Sequence, residues 1–264
     1  MNQIQQKVWD ALRAGGGDLR VYYQPVKRPS ELGQPAKMFE ALIRMSRSDG
    51  SVIEAAQFVP DVLEIDTLAI ALDAWVLRQV VDDLRMLRAC GYLHIRITVN
   101  LTAASLHDKD LPDRVGDVLS GLIEPCLILE VLESQPLDYR VIGDSVMRMA
   151  LLSPILLDDI GIGYSNLDSI VNLEIDGLKI NGGFVIRVLD SSKHRAVIRG
   201  LFSICHDLRL LCIAEWVESD SLISELNEMV RPYPQCDLLL QGFAVGMPAP
   251  LSEHIGHCQV DPNG

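Results

Sequence analysis

Glu40, Asn100, Asp158-Asp159, Glu130, Lys179, Glu215 and Gln241 share a feature: each ends, or immediately follows, a short apolar run that should be buried. Ionised carboxylates in such places are costly unless they are paired or hold a metal. One polar residue at the end of a strand means little. Several acidic groups with one lysine are hard to explain as turn chemistry. Glu40, Asn100, Glu130 and Asp158 offer hard oxygen ligands of the kind that suit Mg²⁺ or Mn²⁺. The neighbouring Asp159 would let a second ion sit beside the first. Two ions about 3.5–4 Å apart form a clamp for in-line displacement at phosphorus. Without cations such a rim would repel an anionic substrate, so the acidity points to metal dependence if the substrate is a phosphate ester.

The elements that must position these groups alternate along the chain. Short β-rich runs lie at Leu19–Tyr23, Phe39–Ile43, His94–Leu101, Leu127–Leu132, Ile155–Leu157, Gly177–Ile180, Leu210–Ala214 and Leu238–Gln241. Helical periodicity marks Asp66–Arg88, Leu111–Leu122, Tyr139–Leu151, Ser192–Leu208 and Ser219–Val230. Alternating strands and helices imply a parallel sheet with right-handed crossovers. The link from Pro25 to Met38 has no helical pattern, which predicts that the first two strands are antiparallel. Eight strand candidates in 264 residues favour an α/β fold of the single (β/α)8, TIM-like barrel type, whose strand ends converge at one mouth. The rival open nucleotide-binding sheet would need a glycine-rich first turn, and the chain contains neither GxGxxG nor GxxxxGK[ST].

The formal charge is −13, from 23 basic and 36 acidic residues. That argues against non-specific binding of DNA or RNA polymers, which depends on Lys and Arg. The six cysteines form no CxxC pair and are expected to be buried and reduced, which points to the cytoplasm. No apolar run approaches the roughly 20 residues of a membrane helix, and the polar opening does not read as a signal peptide. The scattered histidines match no metal-binding position.

Eight blocks in order resemble the EAL domain family and cover roughly residues 10 to 250. Phe39-Glu40-Ala41-Leu42-Ile43-Arg44 resembles the signature that names it, and Tyr22-Tyr23-Gln24-Pro25 its YQP opening. Val99-Asn100-Leu101-Thr102, Leu129-Glu130-Val131-Leu132-Glu133-Ser134 and Asp158-Asp159-Ile160-Gly161-Ile162-Gly163-Tyr164-Ser165 are similar to its NLS, E[IV]TES and DDFGTGYSS segments. Leu178-Lys179-Ile180-Asn181, Ala214-Glu215-Trp216-Val217-Glu218 and Gln241-Gly242-Phe243 look like LKID, AEGVE and QGY. The resemblance implies one domain over residues 1–264 and hydrolysis of cyclic di-GMP to linear pGpG with Mg²⁺ or Mn²⁺, in a bacterial cytoplasmic pathway and as a homodimer. It implies that Glu40, Asn100, Glu130 and Asp158 bind the first metal, with Asp158 bridging to a second beside Asp159. Lys179 would position or polarise the attacking water, and Glu215 would serve as a ligand of the second ion or as general base. Gln24, Leu42, Arg44 and Gln241 would meet the substrate, Arg44 at a phosphate. Glu133 and Glu218 would lie behind the ligands, with Glu133 anchoring the loop from Ile160 to Ser165.

Departures from the family pattern cluster near the same groups: Leu132 for Thr, Ile160 for Phe, Asn181 for Asp and Trp216 for Gly, with Ser153-Pro154 where a glycine usually stands. They are expected to alter rate or metal affinity, since Trp216 could shift Glu215 or narrow the guanine pocket. Two further readings follow from the same residues: a catalytically silent receptor for cyclic di-GMP, and an interaction scaffold that needs no nucleotide.

Overall fold

The computed structural model describes residues 1–47, 49–122, 126–132, 139–161 and 167–255. Its nine strands are β1 (Leu19–Lys27), β2 (Met38–Ser46), β3 (Val52–Glu54), β4 (Arg96–Leu101), β5 (Leu127–Leu132), β6 (Ile155–Ile160), β7 (Gly177–Ile180), β8 (Leu211–Ala214) and β9 (Asp237–Gln241). They run in the order β1-β9-β8-β7-β6-β5-β4-β2-β3, and a β1–β2 pairing closes eight of them into a barrel. The pairs from β2–β4 to β8–β9 are parallel. As expected from the helix-free link, β1 is antiparallel to β2, and it is also antiparallel to β9. The short edge strand β3, which pairs with the end of β2, was not expected from the sequence.

Alternation along each strand sorts the side chains into two populations. Those facing outward, such as Ile97, Val99, Leu129, Val131, Leu178 and Leu240, join one large core with the surrounding helices. Helix Asp66–Ala89 contributes Leu68, Leu72, Val76, Val80, Leu84 and Leu87, spaced three or four apart on a single face. Those facing the lumen form a second, smaller cluster of Val26, Met38, Ile128, Leu156, Ile213 and Leu239.

That inner cluster is the floor of the barrel. Two residues further on, toward the mouth, each of its strands carries a polar group: Gln24, Glu40, Glu130, Asp158, Glu215 and Gln241. Thr98 and Gly177 hold the equivalent floor positions below Asn100 and Lys179. A Cβ on Gly177 would lie 2.7 Å from both Leu156 and Leu211, so the floor closes only with glycine there. The period of two thus converts eight apolar strands into a dry plug capped by one polar residue per strand.

Of the cysteines, Cys126, Cys205, Cys212 and Cys236 are free and buried as expected. Cys90, at the end of helix Asp66–Ala89, is disulfide-bonded, which departs from the expected reduced thiol.

Candidate active site

Lys179 is the hub of the capping layer. Its side chain is 1% exposed, and its ammonium lies 2.9 Å from Glu130, 3.0 Å from Glu215, 3.2 Å from Glu40 and 3.3 Å from Asp158. Burial alone would pull this lysine down, but the four carboxylates together hold it well above its usual range. The carboxylates respond unequally. Burial pushes Glu40 up, yet Lys179 and hydrogen bonds from Gln241 and Asn100 bring it below the ordinary value. Asn100 donates to Glu40 Oε1 at 2.8 Å, and Gln241 Nε2 donates to Glu40 Oε2. Glu130 is pushed far up by burial and by its neighbour Glu40. Burial also raises Asp158, and it raises Glu215 to about 7.

A register shift in β6 between Leu157 and Ile160 changes the alternation where it matters. Simple pleating would turn Asp159 away from Asp158. The irregularity, with Asp159 at φ 61°, lets Asp158, Asp159 and Glu215 each bring an oxygen within 4.8 Å of the others. Asn181 secures this unusual conformation: its Nδ2 donates to Asp159 Oδ1 at 2.8 Å, while its own Oδ1 accepts from Gly183 N–H. The Asn that stands where the family pattern has Asp thus supplies a hydrogen-bond donor to the second aspartate.

The strand-end loops are locked to each other as well. Val217 N–H donates to Gln241 O, and Ala244 N–H to Val217 O. Gly242 sits at φ 154°, where a Cβ would come 2.3 Å from Val217 N. Trp216 also takes a left-handed conformation, φ 52°. Its side chain rests so closely on Gly182 that a Cβ there would be 2.0 Å from the indole.

A cavity of about 400 Å³ opens above this layer, lined by Gln24, Glu40, Leu42, Glu215, Trp216, Glu218, Gln241, Gly242 and Phe243. Trp216 and Phe243 present exposed rings at its mouth, 55% and 58% accessible. Neither ring was singled out as a substrate contact from the sequence. Gln241 Nε2 also donates to Gln24 Oε1 at 3.1 Å, tying β9 to β1. Arg44 lies two residues beyond Leu42, on the same face of β2. It is buried, donates to Ile43 O at 2.9 Å and stacks over Tyr22, and burial lowers its pKa. Glu133 and the loop glycine Gly163 lie outside the described residues, as does the side chain of Leu132.

The donor set fits divalent cations. Five carboxylates converge with one lysine, and Glu130 Oε1 is buried with only the Thr98 hydroxyl beside it, short of a well-formed hydrogen bond. A buried carboxylate oxygen so weakly partnered is an expensive arrangement that a cation would relieve. Asp158, Asp159 and Glu215 are the acids whose oxygens lie within 4.8 Å of one another and would hold one ion; Glu40, Glu130 and Asp158, expected with Asn100 to hold the other, face the Lys179 ammonium instead, and Asn100 donates to Glu40.

The EAL domain family profile matches residues 5–248. An uncharacterized signaling protein of Caulobacter vibrioides is 34% identical over 246 residues, covering 91% of this chain and 29% of that protein. The cyclic di-GMP phosphodiesterase NbdA of Pseudomonas aeruginosa is 29% identical over 255 residues, covering 95% and 31% respectively. The chain therefore spans about a third of the length of these curated relatives. Among solved structures, the PaMucR phosphodiesterase in complex with c-di-GMP superposes with a TM-score of 0.83 at 28% identity, over 96% of this chain and 99% of that one. The FimX EAL domain of Pseudomonas aeruginosa, at 21% identity and a TM-score of 0.78, shares the fold. On the profile match, the barrel and the ordered strand-end residues, the chain belongs to the EAL domain family.

Proposed function

We propose that this chain is a metal-dependent phosphodiesterase that hydrolyses cyclic di-GMP to linear pGpG, acting as one domain over residues 1–264 and as a homodimer in the cytoplasm. The observation that carries the reading is the buried ring of carboxylates around Lys179, in which four acids share one ammonium. Bound Mg²⁺ or Mn²⁺ would supply Lewis acidity for water and phosphate.

The rest of the chemistry belongs to the chain. Water oxygen bonds to phosphorus, the bond from phosphorus to the ribose 3′ oxygen breaks, and the water proton passes on, ultimately to that leaving oxygen. Glu215, raised to about 7 by burial, is matched to accepting a proton near neutrality. Its closeness to Asp158 and Asp159 equally suits a role as metal ligand. Lys179 keeps the carboxylates gathered and would position or polarise the attacking water. Gln24 and Gln241 brace the wall around Glu40, and Arg44 supplies a cation on the strand that bears Glu40. Trp216 and Phe243 offer flat apolar faces to a purine.

Incubating the pure protein with cyclic di-GMP and Mn²⁺, and separating the products chromatographically, tests this directly. The expected product is pGpG, formed only with metal. A second reading, that of a silent receptor, draws on Lys179 being fully engaged by four carboxylates and on Trp216 at the mouth. Tight binding without turnover would select it.

A further inference from the structure

Behind β8 and β9, on the outside of the barrel wall, three thiols from separate segments converge. Cys205 lies in the last turn of helix Ser192–Leu208, Cys212 is the second residue of β8, and Cys236 immediately precedes β9. One sulfur from each lies within 4.8 Å of the other two, and all three are buried and free. Cys212 faces outward because Leu211 and Ile213, on either side of it, pack with the lumenal floor. The cluster is therefore separated by the strand wall from the carboxylate layer.

A single buried cysteine ordinarily packs as a small apolar residue. Three that meet from positions 7 and 24 residues apart, in a layer otherwise built of Leu, Ile and Phe, form a donor set. Zinc–thiolate bonds of about 2.3 Å place the sulfurs of a tetrahedral site about 3.8 Å apart, so small rotamer changes would close this triangle on an ion. His206, next to Cys205, is not the fourth ligand: its Nδ1 accepts the Gln235 N–H at 3.0 Å. A neutral ring in that state carries its proton on Nε2, which cannot then bind a metal. Cys236, the most accessible of the three sulfur-bearing residues at 7%, marks the side from which an ion and an exogenous fourth ligand would enter.

We propose that Cys205, Cys212 and Cys236 form a three-thiolate site for a thiophilic cation of the zinc(II) class, distinct from the hard-cation site at the barrel mouth. Thiolates select such ions over Mg²⁺ and Mn²⁺. The ion would clasp helix Ser192–Leu208 to the two strands that carry Glu215 and Gln241.

The test uses the whole chain, reduced and stripped of metal, in excess Mg²⁺. One equivalent of Co²⁺ should produce a sulfur-to-cobalt charge-transfer band, which one equivalent of Zn²⁺ abolishes. Zn²⁺ should also slow alkylation of these three thiols at least tenfold. Cys212→Ser and Cys236→Ser should each lose the band, and Glu40→Gln should keep it, which separates this site from the carboxylates. Absence of the band in the unmodified protein, with alkylation unaffected by Zn²⁺, would overturn the proposal even if the serine variants failed to fold.

Discussion

Two buried carboxylate environments in this molecule are handled in opposite ways. Asp73, on helix Asp66–Ala89, accepts from Thr102 N–H and Thr102 Oγ1, both at 2.8 Å, and from Ser105 Oγ at 2.6 Å. It pins the chain just after β4, and every partner is a neutral donor. Around Lys179 the acids compete for one cation and repel one another, and Glu130 has only the Thr98 hydroxyl as a neutral donor. A carboxylate that serves the fold is surrounded by donors. The acids at the barrel mouth outnumber theirs, and their shortfall is what a divalent ion would fill.

The largest expected effect lies at the mouth. Glu40→Ala removes a ligand and the acceptor for Asn100 and Gln241, and should reduce pGpG formation with Mn²⁺ by about 10⁴-fold, or about 5 kcal/mol. Turnover within tenfold of the unaltered protein would break the contrast between the two environments. Lys179→Met should separate charge from packing. Without its one cation the layer should lose about 3–5 kcal/mol of unfolding free energy in chelator. Saturating Mn²⁺ should restore part of that loss, and more than it adds to the unaltered protein, as read from urea melts with and without metal. Equal responses to Mn²⁺ would mean that the acids do not share a cation site.

Asp73 should show the opposite sensitivity. Burial raises it to about 6 from an ordinary value of 3.8, so the folded chain favours the protonated acid. Its contribution to stability is full below about pH 4 and is lost as pH rises through about 6. A rise of that size corresponds to about 3 kcal/mol. Asp73→Asn cannot ionise, so the stability advantage of the unaltered protein over the variant should shrink by about that amount between pH 4 and pH 7. Denaturant titrations at the two pH values check this. A constant difference would show that three neutral donors fully compensate the buried charge.

The capping layer was legible because it obeys local rules: an apolar run, a period of two and a polar terminus identify Glu40, Glu130 and Gln241 without any tertiary knowledge. The antiparallel start was legible from a link too short on helical pattern to make a crossover. What escaped is what distant contacts decide. The irregularity at Asp158-Asp159 has no glycine to announce it, since Asn181 holds Asp159 at positive φ from another strand's end. Arg209 likewise ends helix Ser192–Leu208 in the left-handed region without a glycine. Strand β3 spans three residues, too few for a period. The thiols of Cys205, Cys212 and Cys236 have no motif spacing, because β8 and β9 bring them together through sheet order rather than sequence.

Trp216 offers the finest test at the mouth. From the sequence, the indole could shift Glu215 or narrow the guanine pocket; if it obstructs Glu215, Trp216→Gly would raise activity. In the structure the indole leans on Gly182, half exposed, while Glu215 keeps its contact with Lys179. The residue at φ 52° also holds a conformation that glycine adopts freely. Relief of that strain and loss of the Gly182 contact act in opposite directions, so stability should change by less than about 1 kcal/mol. The larger consequence should be lost stacking area for a base, on the order of 1 kcal/mol. Trp216→Gly should therefore raise KM about fivefold and leave kcat within about twofold. A rise in kcat at unchanged KM would restore the obstruction, and would place the difference between the two carboxylate environments in the loop above Glu215 rather than in the charges beneath it.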